Sequence, residues 1–515
     1  LSYADAHPEF SHWSKDTIFL FSDGGLIGTR AWLEAYHDTP NHPDVRADRV
    51  VLHAGIIEEA LNLEFPSSPG DNNDAYASLG IYTQALNGQQ PNADVPMLVY
   101  SAAAAYGIPI KLHSSHSPLG NTLVSYSSSA PSSVFPKTYA DNLASLLEYM
   151  AIQAFGIPMP HHALFAKFKI EGVTIVGVKS ENGLNRVVDA HRVCLVIESV
   201  LRSYNTLLER LHHSYWFYFM FSVTGYLPIA FYIGPIILLS INLVLEAFAL
   251  YMEGDIVTDT KSLKSTTTIN TTTDPPTNIL IRPVGVSSFL KTPRPLQIPL
   301  TVLAICFTLC TTLYKLAWRN TLLLNETPAL YILGAIFVAQ TALAFTLVPQ
   351  LLLSLDSKTT TTTTTAEMKP HVLRMLKSLA YSFLGLTLVT VATLNPSLSA
   401  AIAVPVVPVV QTVCANVENT ASNSSSSSSS SSSDAGGNAK TVGWVKKFAR
   451  IAALQVVSPA GLFGLVVLLG GESYAKGVLG EIGRTAYWLE GWGLDVVVCC
   501  VWPACLALMV LVGGS

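Results

Sequence analysis

From Pro228 to Met252 only Glu246 carries a charge, and no other stretch constrains the fold of this chain as much. At ~1.5 Å per residue, a helix of about 25 residues crosses a ~30 Å hydrocarbon core. The residues just before it have a different character. Cys194, Ile197, Leu201, Tyr204, Leu208 and Leu211 recur in steps of three and four, while Arg192, Arg202, Glu209 and Arg210 fall off that stripe. The spacing predicts an amphipathic helix leaning on a globular domain. Ser214 to Phe221 is an aromatic band of the kind found at membrane surfaces. A soluble region is therefore expected before this stretch and a membrane region after it.

The 515 residues exceed a single core, and half are hydrophobic against 13% charged. That balance suits a polytopic membrane protein carrying a soluble part. A net charge of -5 gives no reason to expect a nucleic-acid partner. The chain opens at Leu1 without a leading apolar span, which reads as a fragment missing its N-terminus. Cys194 is the only cysteine in the first 213 residues, so the soluble part has no internal disulfide framework. The cysteines at 306, 310, 414, 499, 500 and 505 read as small packing residues in apolar segments.

Within the soluble part, Thr17–Phe21 predicts a buried strand, Ser22–Gly25 a turn and Gly28–His37 a helix. Val50–Leu52 and Ala60–Phe65 predict further strands, Val95–Tyr106 and Tyr139–Phe155 helices, and Ala163–Val178 a strand-like alternation. Strands alternating with helices predict an α/β sandwich whose functional residues gather at strand ends, where Asp23, Glu64 and His162 fall. No Gly-x-Ser-x-Gly elbow and no phosphate-cradling glycine motif is present. The other histidines show no repeated metal-ligand spacing.

Four blocks in order, Ser14–Asp38, Leu86–Asp94, His162–Phe165 and Leu207–His212, resemble the attachment subunit of GPI transamidase. That family's soluble domain faces the ER lumen, is similar to zinc aminopeptidases and precedes its membrane helices. The resemblance thus implies an α/β zinc-aminopeptidase-like luminal domain followed by a polytopic α-helical membrane domain. Aminopeptidases place a Glu-Glu pair ahead of Gly-Ser/Thr. Counting back from Gly28-Thr29, the general-base position holds Ser22 and the ligand position Asp23. Glu64 and His162 match further ligand positions. A serine cannot deprotonate a metal-bound water near neutral pH, so the site reads as vestigial, with zinc the cofactor to look for.

The implied function is a non-nucleophilic subunit that binds the GPI lipid and positions it for attachment to precursor C-termini. Its implied partners are the other transamidase subunits, including a caspase-like cysteine protease that holds the nucleophile. The family carries a proline in its final span that is implicated in holding the lipid, and Pro503 matches it. The alternative is an active membrane-tethered zinc aminopeptidase.

The expected organisation is a luminal domain over 1–183, interfacial hinge helices over 184–227 and a membrane domain over 228–515. The last is expected to carry seven spans, at 228–252, 296–317, 329–353, 371–394, 398–413, 450–469 and 494–512. The segment 398–413 is short, holds Pro405 and Pro408 and reads either as a span or as re-entrant. Thr266–Thr273, Thr359–Thr365 and Ser424–Ser433 read as disordered connectors. Lys261, Lys264, Arg282, Lys291, Arg294, Lys358, Lys369, Arg374, Lys377, Lys440, Lys446, Lys447 and Arg450 lie on one side. Only Lys315, Arg319, Lys476 and Arg484 lie on the other. The basic excess assigns the first side to the cytosol and the soluble domain to the lumen. In sealed microsomes, protease added outside should cut the Ser-run connector and spare the soluble domain. The reverse pattern would overturn the orientation.

Overall fold

The computed structural model describes residues 13–40, 42–45, 47–51, 55–65, 76–113, 137–157, 160–179, 188–207, 217–266, 296–319, 335, 370–424 and 436–514. The expected span at 329–353, the Thr359–Thr365 run and most of the Ser424–Ser433 run lie outside them. Two compact units result. One joins residues 1–234 to 392–401 and 480–494, and the other holds 235–391, 402–479 and 495–515.

The first unit is built on a four-stranded mixed sheet. Its strands are β1 (Glu59–Glu64), β2 (Tyr76–Tyr82), β3 (Ile110–Leu112) and β4 (Glu171–Lys179), in the order β1-β4-β2-β3. β1 runs parallel to β4, β4 antiparallel to β2, and β2 parallel to β3. Helices α1 (Gly25–Tyr36), α2 (Asp94–Ala105), α3 (Lys137–Phe155) and α4 (Ala190–Thr206) accompany it. Leu79, Ile81, Val173 and Ile175 of the sheet pack with Val95 and Val99 of α2 and with Val193, Val196 and Val200 of α4. Alternate residues of a strand share one face, so β2 and β4 present β-branched and leucine side chains together to both helices.

Several sequence expectations shift here. The α4 stripe is Val193, Val196, Val200 and Tyr204, one residue out of phase with the predicted one, and Cys194 is exposed. Both stripes have helical spacing; the valines are the ones that meet the sheet. Thr17–Phe21 forms no strand: Phe19 is 69% and Phe21 93% exposed. A strand needs a ladder partner, and the described pairings of β1 all go to β4. Val50–Leu52 forms no described strand either, and Val51 is exposed. The first half of Ala163–Val178 belongs to a 3-10 helix, His161–Phe168, which ends on Lys169 at φ 59°. The aromatic band is partly a hairpin, β5 (Tyr218–Met220) against β6 (Tyr226–Pro228), with all three β5 residues buried.

Two turns that follow or precede apolar helices belong to this first unit. Asn87 lies at φ 61° in the short 3-10 turn Leu86–Gly88. Its carbonyl accepts from Asn395 Nδ2 at 3.1 Å, and its Oδ1 accepts from the Trp492 N–H at 2.8 Å. Asn395 Nδ2 also donates to the Gln153 carbonyl, and Ser397 Oγ to Gln153 Oε1. A second network is ionic. Arg30 pairs with Glu34 and Glu490 at 2.6 Å each and donates to the Trp488 carbonyl, while Lys167 reaches Glu490 at 2.8 Å.

The second unit is helical. α5 (Ile229–Thr266), α6 (Gln297–Arg319), α7 (Pro370–Leu394), α8 (Pro396–Ser424), α9 (Gly436–Val457), α10 (Pro459–Leu489), α11 (Gly493–Val496) and α12 (Trp502–Gly514) supply it. Among the described residues, five stretches are long and apolar enough to cross a membrane: Ile229–Met252, Gln297–Lys315, Val372–Leu394, Pro396–Ala415 and Gly493–Val512. The segment with Pro405 and Pro408 is thus continuous helix of spanning length. Residues 450–469 do not form one span. Pro459 cannot continue the α9 hydrogen-bond ladder, and Ser458 Oγ instead accepts from the Gly461 N–H. Glu246 meets Lys377 at 3.3 Å and Gln411 at 3.1 Å, tying α5, α7 and α8 together. Gly385 lets α7 approach α5, where a Cβ would meet Val244 at 2.7 Å.

At Gly88, φ is 76° and a Cβ would fall 2.7 Å from the Gln153 carbonyl and against the Asn395 amide. At Gly107, φ is 67° with open space around it. Gly88→Ala should therefore destabilise by roughly 3 kcal/mol, against about 1 kcal/mol for Gly107→Ala. Thermal unfolding of both variants in detergent measures the difference.

Candidate functional site

The expected site residues sit on the turn before α1, the end of β1 and the 3-10 helix before β4. Gly28 fixes the turn, because any side chain there would collide with the Asp23 carbonyl. Asp23 is exposed, and its Oδ1 accepts the Gly24 N–H at 2.8 Å. Ser22 lies close by, and its Oγ is 2.9 Å from Thr29 Oγ1, which is in turn 2.7 Å from His161 Nδ1.

His162, 1% exposed, places Nδ1 2.7 Å from Thr174 Oγ1 on β4. Asn62 Nδ2 donates to that same oxygen at 3.0 Å and to Glu64 Oε1 at 2.7 Å. The parallel register sets Asn62 beside Thr174, which is why this contact forms. A polar chain therefore runs Glu64–Asn62–Thr174–His162, and a second runs Ser22–Thr29–His161. Among the described residues the two chains are linked only through the adjacent His161 and His162, and Asp23 Oδ1 takes up the N–H of its own turn. Sequence spacing singled out these four, but Asn62, Thr29, His161 and Thr174, which make the contacts of Ser22, Glu64 and His162, were missed. The Gly28-Thr29 dipeptide and the neighbouring histidine pair were the available signals.

Zinc needs three or four N/O/S ligands in fixed geometry. Among the described residues no three His, Cys, Asp or Glu side chains are grouped to hold a metal. Glu64 Oε1 and His162 Nδ1 are occupied by an amide and a hydroxyl. As placed, these residues do not make a zinc centre, and no zinc chemistry is assigned to them.

Pro503 is the fifth residue of interest. Val497–Val501 is a π-turn in which the Trp502 N–H reaches the Val497 carbonyl, and it leads directly into Trp502-Pro503. Proline supplies no N–H to the ladder, so one carbonyl a turn earlier loses its donor. The buried Trp502 Nε1 has no hydrogen-bond partner among the described residues.

A mixed α/β region built on a four-stranded sheet and followed by helices of membrane-spanning length is the class of protein defined here. Residues 1–509 match the family model described as Gaa1-like, GPI transamidase component, and the chain belongs to that family. It is similar to the GPI transamidase component gaa1 of Schizosaccharomyces pombe, 30% identical over 243 residues, which is 46% of this chain and 38% of that protein. The GPI transamidase component GAA1 of Saccharomyces cerevisiae is 25% identical over 248 residues, 47% of this chain and 34% of the relative. The matched stretch thus spans well under half of either relative's length.

Burial holds His162 far below the ordinary histidine value of 6.5, at about 4, with the Thr83 carbonyl pulling weakly the other way. The ring is neutral in the fold, while an unfolded chain takes up a proton below about 6.5. Its contribution to stability is complete above that pH and is lost as pH falls toward 4, by roughly 3 kcal/mol in all. His162→Gln should flatten that part of the pH dependence, as measured by thermal unfolding between pH 7 and 4.

Proposed function

We propose that this chain is the lipid-handling subunit of a GPI transamidase in the ER membrane, with its α/β region luminal. In this reading it binds the GPI lipid and positions it for attachment to the C-terminus of precursor proteins. The observation that carries the proposal is the family match across residues 1–509. The basic connectors on one side of the helices support the orientation.

The chemistry of bond exchange falls to another subunit, a caspase-like cysteine protease. Ser22 in place of a basic residue, and the absence of a grouped ligand set among the described residues, favour a silent aminopeptidase-like domain over an active one. Cys194 lies exposed on α4, and no role as a nucleophile is assigned to it.

Within the final span, the π-turn, Pro503 and the unpartnered Trp502 indole favour a lipid contact. In hydrocarbon an unsatisfied polar group costs several kcal/mol, and a glycolipid headgroup or ester supplies an acceptor for the indole. π-turns also concentrate at functional sites. Pro503→Leu should leave expression and subunit assembly near normal and lower recovery of GPI lipid with the purified complex several-fold. Lost assembly, or unchanged lipid recovery, would make Pro503 a packing kink.

A further inference from the structure

A cavity of about 410 Å³ lies in the first unit, within the size range of small-molecule sites. His162, Lys169, Glu171, Tyr232, Leu394 and Pro396 are among its walls. Three of these stand at helix ends. Tyr232 is in the first turn of the Ile229–Met252 span, Leu394 closes the Val372–Leu394 span, and Pro396 opens the next. These three wall residues are thus ends of span-length helices, positions that meet lipid headgroups when such helices cross a bilayer.

The polar walls are specific about what would fit. His162 Nε2 and the Tyr232 hydroxyl are buried and make no hydrogen bond among the described residues, an unfavourable arrangement unless something satisfies them. Tyr232 is held by a ring stack on Phe219 at 4.0 Å. Thr174 Oγ1 already accepts from Asn62, so its own O–H is best spent on His162 Nδ1. That assignment leaves the proton on Nε2, a donor that closes no hydrogen bond among the described residues, with the Thr83 carbonyl as the protein acceptor beside the ring.

Lys169 is exposed, held in a left-handed conformation, and makes no ion pair among the described residues. Glu171, two residues on, accepts the Asn92 N–H at 2.7 Å and puts a carboxylate in the cavity wall. A cation and two hydroxyl- or imidazole-type donors call for anionic oxygens. The Glu171 carboxylate disfavours a plain anion and favours a ligand that also carries an ammonium.

We propose that this cavity seats the headgroup of a zwitterionic amine phospholipid, its phosphate toward Lys169 and His162 and its ammonium toward Glu171. The site is separate from the last span, so it stands or falls independently of the Pro503 reading. Native mass spectrometry of the full chain in detergent tests it, with short-chain phosphatidylethanolamine as probe and phosphatidylglycerol and inorganic phosphate as comparisons. Phosphatidylethanolamine should bind best. Lys169→Glu, a surface change, should weaken it about tenfold, and Glu171→Gln should erase the preference over phosphatidylglycerol. Pro503→Leu should leave this binding unchanged. Equal binding of phosphatidylglycerol to the parent chain, or no effect of Lys169→Glu, would overturn the proposal. Displacement of the lipid by inorganic phosphate at similar concentration would do so too, making the ligand a free phosphate.

Discussion

The first unit depends on the two side chains that accept buried polar company, Arg30 and Asn87. Arg30 lies within α1 and is almost fully covered, with Glu34 and Glu490 on its guanidinium. Burying a guanidinium is expensive, and the attraction offsets that cost only where the remaining donors are satisfied as well. The Trp488 carbonyl accepts a further guanidinium N–H, and Lys167 donates to the second oxygen of Glu490. Asn87 does the equivalent work without charge, its backbone and side chain both accepting from residues hundreds of positions away. Such groups specify one arrangement: shifting either turn strands a buried donor or acceptor, whereas an apolar contact could slide.

Parts of this were legible in the sequence for physical reasons. α2, α3 and the long apolar helices announce themselves through periodicity and length, which need no knowledge of their partners. Thr17–Phe21 has strand composition, yet composition cannot supply a ladder. In α4 two stripes share the same period, and only the position of β4 decides that Val193 rather than Cys194 is covered. The spacing from Gly28-Thr29 pointed at Ser22, and the spacing to Phe165 pointed at His162. Their connection through Thr29, His161, Thr174 and Asn62 depends on strand register, which no local pattern encodes. The Asn395 and Trp492 contacts were invisible for the same reason.

The helical unit handles polar groups in the opposite way, by keeping them few and pairing them. Glu246 is costly in an apolar span, and its contact with Lys377 and Gln411 converts one isolated charge into a three-helix junction. Ser378 Oγ donates to the Ala247 carbonyl and the Tyr381 hydroxyl to the Val410 carbonyl on the same helices. Lys377 therefore belongs to packing, although by sequence it had counted among the connector charges.

The π-turn at Val497–Val501 also changes how the last span must be read. A π-turn takes up more residues than an α-turn, so side chains beyond it are rotated about the axis relative to those before. A helical wheel drawn through residues 493–512 as one ideal helix would set Asp495 and Cys505 on a shared map that the backbone does not respect. The faces of α11 and α12 are two separate faces, and substitutions chosen along a single wheel would sample both at once.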